Sequence, residues 1–387
     1  MKTVGIICEY NPFHNGHLSQ FRRIRACCGK DAAIVCLMSG NYVQRGAPAI
    51  MDKSIRAQAA LLCGADLVLE LPPEISLSSA EGFAAGGVAI ASRCCDRLCF
   101  GTESMDREAL LQTAQALCAP EFPPLLRQVL TSGCSFPVAR SQALAQMGIP
   151  WTLSTPNDLL GVEYTKAILQ QGSAMEPMPI FRAGSYHDTA LHPDAPSATA
   201  VRQQMVSGGS WEAAVPPQAA ALFQNATPHT LEAGERAILA RLRTMTEEEF
   251  AALPYGSEGL WRKLMKAAGR CATLSDVAEA VKSKRYTRTR IDRMILCAFL
   301  GLTQAQMGVV PPTVRVLGFS AQGRLILRAH PEFRNAGEAV SPEELRLGSL
   351  YGLFSTQTPD APDAEAKRRI FYSGMQPVFC SGQGAGR

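Results

Sequence analysis

The stretch Gly5-Ile6-Ile7-Cys8-Glu9-Tyr10-Asn11-Pro12-Phe13-His14-Asn15-Gly16-His17-Leu18 constrains this chain more than any other. A short apolar run, Val4 to Cys8, ends in a loop containing Asn, Pro and Gly, and a helical pattern begins near Leu18. Strand, turn and helix start follow one another, the arrangement in which α/β sheets bind nucleotides beyond the carboxyl ends of their strands. His14 and His17 stand three residues apart, so on a helix that begins here they share one face. Two imidazoles beside a helix N-terminus suit a phosphate chain, because each can donate a hydrogen bond as charge moves. Gly16 between them lets a ligand approach the backbone closely. Paired histidines near a turn also occur as plain surface or capping residues, so spacing alone does not decide.

At 387 residues the chain has room for two domains. No apolar run approaches the roughly 20 residues of a membrane span. A strand begins at once, which leaves no room for a signal peptide. Thirteen cysteines are too sparse for a disulfide-stapled secreted fold, and none forms a Cys-x-x-Cys pair. Reduced thiols in a cytoplasm are therefore expected, with no zinc site.

The first hundred residues alternate. Strand-like runs at Thr3–Cys8, Ala32–Met38, Leu67–Leu71 and Arg97–Phe100 are separated by helical patterns at Leu18–Arg25, Ser54–Cys63 and Ala80–Ala91. That order predicts a Rossmann-like α/β domain with a mostly parallel sheet and one functional rim. Besides the His14/His17 loop, Ser39-Gly40-Asn41-Tyr42-Val43-Gln44-Arg45-Gly46 and Gly101-Thr102-Glu103-Ser104 should land on that rim. The first of these carries Arg45, fit for a phosphate or small carboxylate, although Gly and Asn are also ordinary turn residues. Asp158 reads as a cap of the helix that Pro156-Asn157-Asp158 opens. Arg182 ends a strand at Met178–Phe181 and suits a phosphate or ribose, while His187 reads as a solvated loop residue. Ser197, Thr199 and Arg202 then form a hydroxyl-rich helix start with an arginine one turn in, an anion cradle.

Gly208-Gly209 and Val215-Pro216-Pro217 mark an expected boundary, giving a catalytic part at 1–210 and a mainly helical part at 211–387. From Trp261 to Arg293 there are ten basic and three acidic residues, a net +7 against +4 for the whole chain. So basic a stretch reads as a phosphate-backbone contact, with Lys284, Arg285, Arg288 and Arg290 on RNA and Tyr286 stacked on a base. Further on, Val314–Phe319 and Leu325–Leu327 read as a small β hairpin turning at Ala321-Gln322-Gly323. A last helix starts at Ser341, and the tail from Ser381 reads as disordered.

Asn-Pro-Phe-His-x-Gly-His after a first strand resembles the His-x-Gly-His signature of the nucleotidyltransferase superfamily, and Ser197 to Arg202 resembles its second signature. Together with Ser39–Gly46, Phe100-Gly101-Thr102-Glu103, Pro156-Asn157-Asp158 and Ser283-Lys284-Arg285-Tyr286-Thr287-Arg288-Thr289-Arg290-Ile291, the chain is similar to the bacterial tRNA(Met) cytidine acetate ligase family over nearly its whole length. The resemblance implies that acetate attacks the α-phosphate of ATP and that the acetyl group then passes to N4 of the wobble cytidine of elongator tRNA(Met). It implies ATP contacts at Ile7 through Gln20 (adding Ser19 and Gln20 to the string above), Gly101, Asn157 and Arg182. His14 and His17 would act on the α-phosphate and leaving pyrophosphate, and Ser197, Thr199 and Arg202 on the outer phosphates. Magnesium would arrive through ATP, since no carboxylate pair stands out to hold a metal, and no obligate protein partner is evident. Two other readings stay open. An adenylyltransferase for a small phosphorylated metabolite leaves the basic half unused, and a non-enzymatic RNA-binding protein leaves the two histidines unexplained.

Overall fold

The computed structural model describes residues 1–104, 106–149, 155–181, 196–333 and 341–358. Arg182, His187 and the tail from Ser381 lie outside them. The strands are β1 (Thr3–Cys8), β2 (Ala33–Ser39), β3 (Tyr42–Val43), β4 (Ala47–Pro48), β5 (Leu67–Leu71), β6 (Arg97–Thr102), β7 (Glu176–Phe181) and β8 (Val316–Phe319). Six of them form one sheet in the order β7-β6-β1-β2-β5-β8. Every pairing is parallel except β5 with β8. After β1 the chain moves outward through β2 and β5, then returns to the other side of β1 as β6. This reversal puts the switch point of the sheet between β1 and β6, where doubly wound folds bind ligands.

The apolar runs of β1 and β2 are buried on both faces, as parallel strands covered by helices require. Successive residues alternate sides. Ile6, Cys36 and Met38 pack with Phe21, Ile24 and Ala60, whereas Ile7, Val35 and Leu37 pack with Phe83, Val88 and Tyr164. The Ala80–Ala91 helix comes close to β1 because Gly87 has no Cβ, which would stand 2.6 Å from Ile7 Cδ1. A third core lies among the helices Glu235–Thr244, Leu260–Ala268, Leu274–Val281 and Arg288–Leu300.

Two features depart from the sequence expectation. The small antiparallel hairpin lies at β3 and β4 in the N-terminal half, with Tyr42 opposite Pro48. The Val314–Leu327 segment instead gives β8, which closes the edge of the main sheet, and a helix, Ala321–Ala329, where the hairpin turn was expected. Ser320 decides this locally. Its hydroxyl caps the helix at Gly323 N–H and also donates to buried Asp66 (2.8 Å), whose other oxygen accepts the Ile34 N–H (2.9 Å). The C-terminal part thus returns to the N-terminal sheet.

Arg56, on the Lys53–Leu62 helix, has no exposed surface. Its guanidinium donates to the carbonyls of Glu9 (2.6 Å), Met51 (2.9 Å), Ser39 (3.2 Å) and Gly40. Replacing Arg56 by Met leaves these buried acceptors without a donor and should cost roughly 3 kcal/mol or more. Urea unfolding of Arg56→Met should show the midpoint falling accordingly.

Candidate active site

The Asn15–Cys28 helix begins at the switch point with no acidic residue in its first turn. Its N-cap is His14, in extended conformation, and His14 Nδ1 accepts the Gly16 N–H at 3.2 Å. His17 Nδ1 in turn accepts the His14 N–H at 3.2 Å. The two histidines therefore form a capping box, with imidazoles where Ser or Thr and Glu usually stand. An imidazole that accepts at Nδ1 carries its proton on Nε2. Both rings are thus fixed as Nε2–H donors by backbone geometry. They stack with centroids 3.7 Å apart, and Tyr10 (4.8 Å) and Phe13 (5.4 Å) pack against the His17 ring.

The loop leading to them is held at each residue in turn. Glu9 Oε1 accepts the Gln44 N–H (2.8 Å), and the Tyr10 hydroxyl lies 3.4 Å from Cys36 Sγ. Asn11 Oδ1 accepts the Ile50 N–H (2.7 Å), while Pro12 and Phe13 are buried. Within the helix Asn15 donates to the Ala213 carbonyl (2.9 Å), and Gln20 donates to Cys99 on β6 (3.5 Å). Ile7 and Cys8 are buried, Leu18 is half-buried, and Ser19 is exposed.

The second expected cradle meets the first. Ser197 caps the Ala198–Ser207 helix through Ala200 N–H (3.0 Å). Arg202 donates to Thr199 Oγ1 (3.1 Å) and to the Asn11 carbonyl (2.6 Å), so the helix start is bound to the β1 loop across 191 residues of sequence.

On the β6 side, Gly101 pairs with Ile180 of β7, and the loop after it is gripped by the Pro156–Gln170 helix. Asn157 donates to Glu103 Oε1. Asp158 does not cap its own helix, as the sequence suggested. Its carboxylate accepts the N–H groups of Glu103 (2.9 Å) and Ser104 (3.3 Å) and the Ser104 hydroxyl (2.5 Å). Burial pushes the Asp158 carboxyl up, but these donors outweigh it and hold it below the usual carboxylate range. Sequence reading took Asp158 for a local cap and so missed its hold on the Glu103–Ser104 loop, and it missed Arg56 altogether. The only signal for Arg56 was a cation within an alanine-rich helix.

The basic stretch divides. Lys284 and Arg285 point outward, Arg285 in an exposed ion pair with Glu258 (2.8 Å). On the Leu260–Ala268 helix Arg262, Lys263 and Lys266 are exposed opposite buried Leu260, Leu264 and Ala267. Arg288 and Arg290 are half-buried. Arg288 pairs with Asp292 (2.8 Å), and Arg290 donates to the Tyr255 carbonyl (2.9 Å) and the Ser257 hydroxyl (3.0 Å). Tyr286 corrects the expectation of a base-stacking platform. It is 6% exposed, its hydroxyl donates to Glu258 (2.7 Å), and the Arg290 guanidinium lies 5.0 Å from the ring centroid. Its apolar ring belongs to the helical core.

A family model described as HIGH Nucleotidyl Transferase matches residues 1–335. The tRNA(Met) cytidine acetate ligase of Acetivibrio thermocellus is 35% identical over 353 residues, covering 84% of this chain and 85% of that protein. That of Syntrophomonas wolfei is 36% identical over 351 residues, covering 85% and 84%. The chain belongs to the tRNA(Met) cytidine acetate ligase family. Among solved structures, apo Thermotoga maritima TmcAL matches with a TM-score of 0.84 at 30% identity, covering 98% of this chain and 99% of that one. The same protein bound with alpha-thio ATP matches at 0.82 and 29% identity, covering 95% and 98%. Among the described residues no cluster of His, Cys, Asp or Glu is arranged to hold a metal, every cysteine is a free thiol, and no helix is long and apolar enough to cross a membrane.

Asp158 gives a pH test. A carboxyl held below its unfolded value contributes stability above that value, about 3.9, and loses it as the pH falls through the depressed folded value. The stability difference between wild type and Asp158→Asn should therefore be full at neutral pH and shrink below about pH 4, measured by chemical unfolding across that range.

Proposed function

We propose that this protein is an ATP-dependent acetate ligase that makes acetyladenylate and then acetylates N4 of the wobble cytidine of elongator tRNA(Met). The observation that carries the reading is the imidazole capping box, two fixed Nε2–H donors at a helix N-terminus on the switch point of the sheet. No enzymic nucleophile is needed. A carboxylate oxygen of acetate attacks the α-phosphorus of ATP, the bond to the bridging oxygen breaks, and pyrophosphate departs with its charge. The tRNA amine then attacks the acetyl carbonyl and AMP leaves. The protein's task is to position the reactants and stabilise charge.

In this reading His14 and His17 donate to the α-phosphate and the departing pyrophosphate, and Ser197, Thr199 and Arg202 take the outer phosphates. Ile7 through Gln20, Gly101, Asn157 and Arg182 enclose the remainder of ATP, and magnesium enters on its phosphates. Residues 1–210 carry the nucleotide chemistry. Residues 211–387 carry the RNA contacts, except β8 and the following helix, which complete the sheet. Lys284 and Arg285 are the outward cations for tRNA backbone, with Arg288 and Arg290 holding the surface behind them and Tyr286 packed beneath. The reaction belongs in the cytoplasm, where tRNA and ATP meet.

Acetate-dependent exchange of labelled pyrophosphate into ATP tests the first half. Exchange that ignores acetate, or needs a phosphorylated metabolite, would point to the adenylyltransferase. His17→Ala should slow exchange roughly 10²–10³-fold, the cost of one charge-stabilising donor. His14→Asn is the sharper variant. Asn is a good N-cap, so folding should persist while exchange falls to a similar extent. Normal exchange in His14→Asn would reduce the imidazole to a cap.

The second half is tested by Lys284→Ala/Arg285→Ala. The double variant should keep pyrophosphate exchange, weaken tRNA binding, and flatten its dependence on salt by about one to two units of slope.

A further inference from the structure

The loop Ser39–Gly46 takes no part in the chemistry assigned above, yet the structure holds its tip from two sides. On one side the Gln44 N–H donates to Glu9 Oε1 (2.8 Å), in the loop after β1. On the other, Arg293 of the Arg288–Leu300 helix donates to the Gln44 carbonyl (3.4 Å). Gly46, at φ 79°, lies so close to that helix that a Cβ would overlap the backbone of Asp292 and Arg293. Tyr42 and Tyr351 fasten the base of the hairpin, donating to the carbonyls of Leu347 and Ala49 at 2.8 Å each. Arg45, between Gln44 and Gly46, is exposed. It therefore stands on a rigid tip at the seam between the β1 loop and the helix that starts at Arg288.

In the proposed reaction an RNA held on the basic helices delivers one base to an adenylate at the β1 loop, and the loop tip stands where these two parts meet. A guanidinium placed there meets a phosphate in the paired-donor geometry that lysine lacks. The geometry points to Arg45 as a positioning residue for tRNA: it binds a backbone phosphate beside the target cytidine and fixes where the N4 amine comes to rest. This rests on tRNA being the acceptor, as proposed above.

Arg45→Ala and Arg45→Lys should be compared with wild type in acetate-dependent pyrophosphate exchange, acetyl transfer to tRNA, and tRNA binding against salt. With alanine, transfer should fall roughly ten- to hundredfold, the range of a lost charge-assisted contact. The salt slope should drop by about one unit. Lysine should restore the slope but only part of the transfer rate, while exchange keeps its KM for ATP and acetate. Unchanged transfer and slope would remove Arg45 from the RNA path. A raised KM for ATP or acetate in the exchange would place it at the small substrates instead. Absence of acetate-dependent exchange in the wild type would strike at the proposed function, not at this residue, because the salt slope still reads the RNA contact directly.

Discussion

A guanidinium with no exposed surface has to find its hydrogen bonds inside the protein, and Arg56 finds them on the carbonyls of Glu9, Ser39, Gly40 and Met51. Burial draws its pKa below the ordinary arginine value, and nearby Tyr351, Asp52 and Glu9 pull it back up. Among the described residues no carboxylate pairs with it directly. Its charge is spread over backbone dipoles, an arrangement that tolerates burial only if every acceptor keeps its place. Because those acceptors terminate β1 and β2 and precede the Lys53–Leu62 helix, one side chain fixes the relative height of three loops. The β1 loop is then held further along by Ile50 on the Asn11 side chain and Arg202 on the Asn11 carbonyl. By the time the chain reaches His14 little freedom is left, and the direction of both imidazoles follows.

Preorganisation here comes from backbone hydrogen bonds more than from side-chain packing. A serine–glutamate capping box would satisfy the same amides but would present an acceptor or a negative charge where the proposed chemistry needs a donor. Imidazole can accept on one ring nitrogen and donate on the other. In the proposed reaction the cap and the donor to phosphate are one group, and the helix N-terminus adds its own positive potential beside it.

The sequence was most legible where period and type agree. The strands β1, β2, β5 and β6 are short, mainly apolar runs, and the cradle at Ser197–Arg202 uses ordinary capping chemistry. It was least legible where a residue acts across the fold. Arg56 reads as one polar position in a helix, and Asp158 as a local cap, because their partners at Glu9, Ser39, Glu103 and Ser104 are distant in sequence. Short apolar runs such as 314–319 and 325–327 carry no reliable period, so a helix capped by Ser320 resembles half a hairpin until Asp66 is seen holding it. Tyr286 misled for a different reason. An aromatic among cations suggests a stacking platform, but a buried Tyr needs only a partner for its hydroxyl, and Glu258 supplies one.

The two parts of the molecule also meet by contacts unlike those of a flexible linker. Between β2 and the Lys53–Leu62 helix the chain sends out β3 and β4, and this hairpin is bound by Leu347, Tyr351 and Arg293 from the C-terminal side. His229 stacks on Tyr351 at 4.1 Å, and its backbone N–H donates to the Ile50 carbonyl (2.8 Å), one residue before Met51 on Arg56. The helical part is therefore keyed to the same loops that Arg56 fixes. In the proposed reaction a hinge would leave the RNA free to drift relative to the adenylate, and a drift of about an ångström at the reacting atoms is costly for a transfer that relies on positioning. Tying both parts to one set of loops makes the distance between them a property of the fold.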